Sequence, residues 1–215
     1  MLQKCQLQTF GSSCELRTLA DTSNFLRVRG NMDEIERVKE VLRTTPPSCV
    51  ADFRLTLAEL PIEWDESTRS VWQLACKCSA RQGRVLGYAL GDHAEVPKGT
   101  NIFISPIGFQ CTACAKLTEI IDTDLHGYHS EVAKREGGIG AATYRGEGDR
   151  VAWLCPKCRG EVFSLTVAFI FWDAVLDLAE DEPEWPIQEF FCVFLLFARC
   201  AACEHVSQPT DFGKL

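Results

Sequence analysis

Trp153-Leu-Cys155-Pro-Lys-Cys158-Arg-Gly160 is followed, with 41 residues between Cys158 and Cys200, by Cys200-Ala-Ala-Cys203. An earlier stretch follows the same plan. Trp72-Gln-Leu-Ala-Cys76-Lys-Cys78 comes first, and 32 residues separate Cys78 from Cys111-Thr-Ala-Cys114. Each opening leads through a glycine (Gly83, Gly160) into an apolar run, Val85-Leu-Gly-Tyr-Ala in one copy and Val162-Phe-Ser-Leu-Thr-Val in the other. Each copy also contains Pro-Ile, at Pro106-Ile107 and Pro186-Ile187. The exits agree as well: Leu117, Thr118 and Asp122 stand at the same offsets from Cys114 as Val206, Ser207 and Asp211 do from Cys203. Self-similarity on this scale marks one supersecondary unit used twice.

Paired cysteines on two tight turns supply the four tetrahedral thiolates that a structural zinc ion takes. The spacing therefore assigns Cys76, Cys78, Cys111 and Cys114 to one site and Cys155, Cys158, Cys200 and Cys203 to a second. Pro156 suits the turn of the second site, whereas Cys76-x-Cys78 is a less usual turn. A swapped pairing, Cys76/Cys78 with Cys155/Cys158, is the alternative. Four thiolates per ion leave no open position, so both zinc ions are expected to be structural. These pairs resemble those of tandem zinc-ribbon proteins, a generic likeness covering roughly residues 70–212 that points to no particular family. The intervals between pairs exceed common ribbon spacing, which implies longer strands or an inserted loop.

The expected fold is α+β and mainly β, an N-terminal α+β unit followed by two repeated zinc-ribbon-like units. The divisions are a small unit over 1–70, a first repeat over 71–135, a glycine-rich connector over 136–150 and a second repeat with an acidic insertion over 151–215. In the first unit, Gln6 to Phe10, Glu15 to Leu19 and Asn24 to Val28 read as short strands. Asn31 and Glu34 form a capping box for a helix from about Met32 to Arg43, which Pro46 and Pro47 stop. Asp52-Phe-Arg-Leu-Thr-Leu-Ala alternates apolar and polar residues as a half-buried strand does. Glu136 to Gly148 carries the glycines of an exposed connector, with a short helix from about Ser130 to Arg135 before it.

Twelve cysteines and no basic-then-apolar leader indicate a reducing compartment, so the expected location is the cytoplasm. The longest apolar runs, Val162 to Trp172 and Phe190 to Ala198, are too short to cross a bilayer. Cys5, Cys14, Cys49 and Cys192 have no partner at ligand spacing, and Cys192 reads as core.

The net charge of −8 is unevenly placed. Residues 71–159 carry 11 Lys+Arg against 9 Asp+Glu, and residues 160–215 carry 2 against 10. The stretch Asp173 to Glu189 lies between the expected strands of the second repeat. It combines Asp177, Glu180, Asp181, Glu182 and Glu184 with Trp185, an aromatic set between two prolines. Such a surface attracts a basic partner and repels a polyanion. It serves either as a partner-binding face or as a solvated acidic loop, with Trp185 packed on its own repeat. The expected function is a non-catalytic, zinc-stabilised protein-binding module; its sharpest form is a bacterial immunity-type inhibitor of a basic toxin. A nucleic-acid-binding or transcription-associated ribbon is the alternative, opposed by a pI near 5.1 and the lack of a dense basic stripe.

No catalytic constellation is expected. Asp122, Asp124, His126 and His129 lie close together after a knuckle, but at no established metal or acid/base spacing. Gly137-Gly-Ile-Gly140 lacks the lysine of a phosphate loop.

Overall fold

The computed structural model describes residues 35–62, 68–90, 102–136, 146–182 and 184–210. All belong to one compact unit, Ile35–Leu215. The three strands and the capping box expected before residue 35 lie outside the described residues, as does most of the connector.

Helix α1, residues 35–44, buries Leu42 completely and half-buries Val38, two residues at helical spacing. A 3-10 turn at Ser48–Val50 follows the two prolines. The strands are β1 Arg54–Leu57, β2 Thr68–Ala75, β3 Gln82–Ala89, β4 Phe103–Cys111, β5 Leu117–Ile121, β6 Val151–Ala152, β7 Phe163–Phe171, β8 Val193–Cys200 and β9 Val206–Ser207. Helix α2, Tyr128–Glu136, follows β5, and helix α3, Asp173–Asp181, sits between β7 and β8. The fold is thus mainly β, and α3 is the insertion that the long second interval implies.

The nine strands of the described residues join one antiparallel sheet, ordered β1-β2-β7-β3-β4-β5 along its main path, with β8 beside β7, β9 beside β8 and β6 beside β3. Both copies of the repeat contribute to it, and their registers coincide. Gly83 pairs with Cys111 as Phe163 pairs with Cys200. Gln110 pairs with Leu117 as Arg199 pairs with Val206. The leading strands are exchanged. β2, which opens the first copy, pairs with β7 of the second, and β6, which opens the second, pairs with β3 of the first. The two central strands meet where Gly83 faces Phe163. Those two residues are equivalent by every register above, so this pair marks a pseudo-twofold axis.

This register corrects part of the sequence alignment. Gly160 is equivalent to Ala80, since each carbonyl accepts the amide of the first cysteine of its knuckle. Gly83 is equivalent to Phe163. Leu74, paired with Leu165, is equivalent to Trp153, whose amide donates to Val85; the match of Trp72 to Trp153 is two residues out. Pro106-Ile107 lies within β4, whereas Pro186-Ile187 lies in the insertion ahead of β8. The exits match as expected, β5 and β9 starting three residues after Cys114 and Cys203.

From Val167 to Phe171 and from Val193 to Ala198, β7 and β8 are apolar on both faces because both are covered. One face joins the main core with Trp72, Leu74, Val85, Phe109, Phe163, Leu165, Phe169 and Leu196. The other builds a second cluster from Val71, Ala168, Ile170, Val193, Leu195 and Phe197. Each fully buried Phe or Leu contributes about 1.5–3 kcal/mol.

Candidate metal centres

The eight assigned cysteines converge as two groups of four, Cys76/Cys78/Cys111/Cys114 and Cys155/Cys158/Cys200/Cys203, with the sulphurs of each group within 4.8 Å of one another. Among the described residues these are the only groups of His, Cys, Asp or Glu so arranged. The swapped pairing does not occur. The nearest sulphurs are 3.6 Å apart for Cys76–Cys114, Cys78–Cys111 and Cys155–Cys203, and 3.5 Å for Cys158–Cys200. A disulfide would bring them to about 2.05 Å. Four thiolates about 2.3 Å from a tetrahedral zinc ion stand about 3.8 Å apart, close to what is seen. The residues fit a four-thiolate metal site.

Each knuckle is built by the same backbone bonds. In three of them the amide of the first cysteine donates to the carbonyl five residues on: Cys111 to Lys116, Cys155 to Gly160 and Cys200 to His205, at 2.9–3.0 Å. The amide four residues on returns to the first cysteine's carbonyl, from Ala115, Arg159 and Glu204. The Cys76-x-Cys78 knuckle closes one residue earlier, with Cys76 donating to Ala80 and Ser79 donating to Cys76, both at 2.8 Å. The less usual spacing is therefore the same turn shortened by one residue.

In all four, the residue after the second cysteine is left-handed: Ser79 (φ 75), Ala115 (φ 60), Arg159 (φ 64) and Glu204 (φ 57). None is glycine, so each carries the strain of a side chain in that region. Replacing exposed Arg159 with Gly should relieve it, raising stability by up to about 1 kcal/mol and the thermal midpoint by about 2–4 °C. Arg159→Val should lower stability by about 1–2 kcal/mol, because a β-branched residue is worse there. Thermal melts of the zinc-loaded variants would show the order Gly, Arg, Val; Gly no better than Val would contradict the assigned strain.

Within each group the thiols are unequal. The Lys116 and Gly160 amides lower Cys114 and Cys158, but the neighbouring thiols and burial outweigh them and push these two up to about 11 and about 12. The first cysteine of the same two knuckles moves down. Burial pushes the Cys111 thiol up, but the amides of Cys114 and Ala113 and the neighbouring thiols outweigh this and bring it to about 7. Cys155 reaches about 7 by the same balance, with the amides of Cys158 and Lys157. The remaining cysteines are of another kind. Burial pushes Cys49 and Cys192 up, and the Cys192 thiol donates to the Phe190 carbonyl at 3.7 Å within the core. Cys5 and Cys14 lie outside the described residues.

The Asp122–His129 loop forms a turn into α2. The Asp122 amide donates to His126 Nδ1 at 3.0 Å, the Asp124 amide to Asp122 Oδ1 at 3.1 Å, and Ser130 Oγ to the Thr123 carbonyl at 3.0 Å. Burial holds the His126 imidazole below its usual range, and Nδ1 is committed as an acceptor. His129 is exposed beside the Tyr128 ring. These side chains converge on no common point.

In the acidic insertion, Asp173, Asp177, Asp181 and Glu184 are exposed and Glu182 is half-buried; the Glu180 side chain lies outside the described set. Helix α3 has no basic residue in its last turn, so carboxylates crowd a helix end where the macrodipole favours cations. Trp185 is not the exposed anchor. It stacks on Phe190, centroids 5.5 Å apart at 8°, with the Arg135 guanidinium of α2 4.7 Å from its ring centre. Buried Glu189 anchors the same segment, accepting the Ser48 amide and hydroxyl, both at 2.8 Å. Among the described residues the exposed aromatic is instead Trp172, at the start of α3 and 44% accessible. In the sequence it is only the last residue of a long apolar run; being first after the strand was the only signal.

No described helix is long and apolar enough to cross a membrane. Comparison with protein-family models, with curated proteins and with solved structures finds no match.

Proposed function

We propose that this chain is a non-catalytic, zinc-stabilised module that binds a basic protein through the exposed face of α3. Zinc is the ion of choice for two four-thiolate sites, and with no open position each ion serves structure. The observation that carries the binding reading is the clustering of carboxylates on one segment, Asp173 to Glu184. Glu36, Glu119, Glu131 and Glu161 are paired with Lys39, Arg150, Lys134 and Arg84. No ion pair with another described residue involves Asp173, Asp177, Asp181, Glu182 or Glu184. Their segment is held in place by the Glu189–Ser48 bonds and the Trp185–Phe190 stack, so the charge is presented on a fixed support. Exposed Trp172 beside Asp173 adds the aromatic that interfaces favour. The sharpest form of this reading is an immunity-type inhibitor, whose carboxylates occupy the basic cleft of a toxin enzyme.

The test pairs the intact zinc-loaded protein with a variant carrying Lys at Asp177, Asp181, Glu182 and Glu184. A basic protein captured by the first should bind the second on the order of 100-fold more weakly, mainly through slower association, with zinc content unchanged. Equal affinity for the two would remove α3 as the binding face. Retention of the intact protein on nucleic acid, falling steeply with salt, would favour the transcription-associated reading instead.

A further inference from the structure

We infer that the two metal centres are energetically coupled, so that the ions are gained and lost as a pair. The inference rests on reading both thiol groups as zinc sites and concerns how those sites are regulated. In an independent ribbon, every strand leading to a knuckle pairs within its own unit. Here the leading strands are exchanged. β2 delivers Cys76 and Cys78, yet its partner over seven residue pairs, Thr68–Phe171 to Leu74–Leu165, is β7, the strand that leaves the Cys155/Cys158 knuckle. Conversely, residues 151–153 deliver Cys155 and Cys158, and they pair with β3, the strand that leaves the Cys76/Cys78 knuckle. Each site is assembled on a strand that the other site terminates.

The sites also share a rung. Cys111 pairs with Gly83, Gly83 with Phe163, and Phe163 with Cys200. Three strand spacings of about 4.8 Å put the Cα atoms of these two ligands roughly 14 Å apart. The flanking bonds repeat on both sides of the axis: Thr112 N–H donates to the Gln82 carbonyl at 3.2 Å, and Ala201 N–H to the Val162 carbonyl at 2.9 Å. Arg84 and Glu161, from opposite copies, form an ion pair at 3.3 Å across it. An ordered knuckle on one side therefore fixes the β3 and β7 starts from which the other side is built. Loss of one ion releases a knuckle whose strands are the scaffold of the second.

Coupling between sites is reciprocal, and typical values lie between about 5- and 150-fold. Two experiments on the full chain test it. In the first, native mass spectrometry follows the wild-type protein through graded chelator. A pass from two zinc ions to none, with the one-zinc species always minor, is the expected result; a dominant one-zinc species overturns the inference. In the second, one site is broken through its exposed thiols, Cys78→Ser/Cys114→Ser, which spares buried Cys76 and Cys111. The ion at the intact Cys155 site should then be lost at a chelator concentration about 5- to 150-fold lower. Cys158→Ser/Cys203→Ser should weaken the first site by the same factor. An intact site that holds zinc as firmly as wild type overturns the coupling while leaving the zinc reading in place. Wild-type protein that takes up no zinc at all removes the zinc reading, and the coupling with it. Should a variant not fold, the wild-type titration still decides.

Discussion

Stripping both metal ions from the native protein with a strong chelator should abolish most of its ordered β structure. The expected readout is loss of the far-UV circular dichroism of the sheet, with recovery when zinc is returned under reducing conditions. A structural zinc site supplies about 10–16 kcal/mol of binding free energy that becomes folding free energy, against a total stability of about 5–15 kcal/mol for a typical domain. Two such sites therefore exceed what the remaining packing is expected to hold. Their position makes the loss global: the knuckles join β2 to β3, β4 to β5, residues 151–154 to β7, and β8 to β9. Without metal, each pair of knuckles brings four sulphurs within 4.8 Å and leaves thiolates facing one another.

The same reasoning fixes the direction of pH dependence. Zinc takes thiolates, so protons compete with it, and metal-dependent stability falls as pH falls. Cys111 and Cys155 lie at about 7 in the folded chain, below the roughly 8.5 of a free cysteine. Cys114 and Cys158 shift the opposite way, to about 11 and about 12, so the pH dependence comes from protons competing with the ion for all four sulphurs of each site. Chelator sensitivity should accordingly rise steeply below neutrality. A protein whose circular dichroism stays native after verified removal of both ions would refute the structural role.

Gly83→Ala should be the most damaging single methyl in the sheet. A Cβ at this position would stand 2.4 Å from Cε2 and Cζ of Phe109 and 2.5 Å from the Gln110 carbonyl oxygen. The ring of Phe109 lies over the glycine, itself held edge-on by Phe53 at 5.8 Å, so it has little room to retreat. Overpacking a dense core costs about 1–3 kcal/mol and occasionally more. Contact with backbone as well as ring places this case at the upper end, about 3 kcal/mol, or a fall in thermal midpoint of about 6–12 °C. Gln82→Ala, one residue away on the exposed side, should change stability by less than about 0.5 kcal/mol. Adding Phe109→Leu to Gly83→Ala should recover only part of the loss, since the Gln110 carbonyl remains. A fully tolerated alanine would mean that the β3–β4 register at this rung is wrong.

Local signals carried much of this molecule. Cysteine spacing identified both ligand sets, because a knuckle is a turn of five or six residues whose chemistry is confined to itself. The exits were legible for the same reason, as β5 and β9 follow their cysteines at one fixed offset. Pro46 and Pro47 ended α1, and alternation over residues 52–58 announced β1. Where the reading failed, the deciding contact lay elsewhere in the chain. Trp185 looked exposed between prolines, but Phe190 and Arg135 cover it. Trp172 entered the reading only as the end of an apolar run, and it stands exposed at the start of α3. Gly83 and Gly160 were matched by residue type, whereas one makes room for Phe109 and the other completes a knuckle beside the Cys158 and Cys200 sulphurs.

The sequence by itself determined that there are two groups of four cysteines, that the fold is mainly β, and that the acid is concentrated in the second copy's insertion. All three follow from residue types at short spacing. Only the tertiary structure decided that the copies form a single sheet with exchanged leading strands. Pairing a strand with its own copy or with the other uses the same backbone donors and acceptors, so alternation and spacing carry no record of the choice. It is made by how Phe163 and Gly83 meet across the centre, and by which strand ends the knuckles hold together.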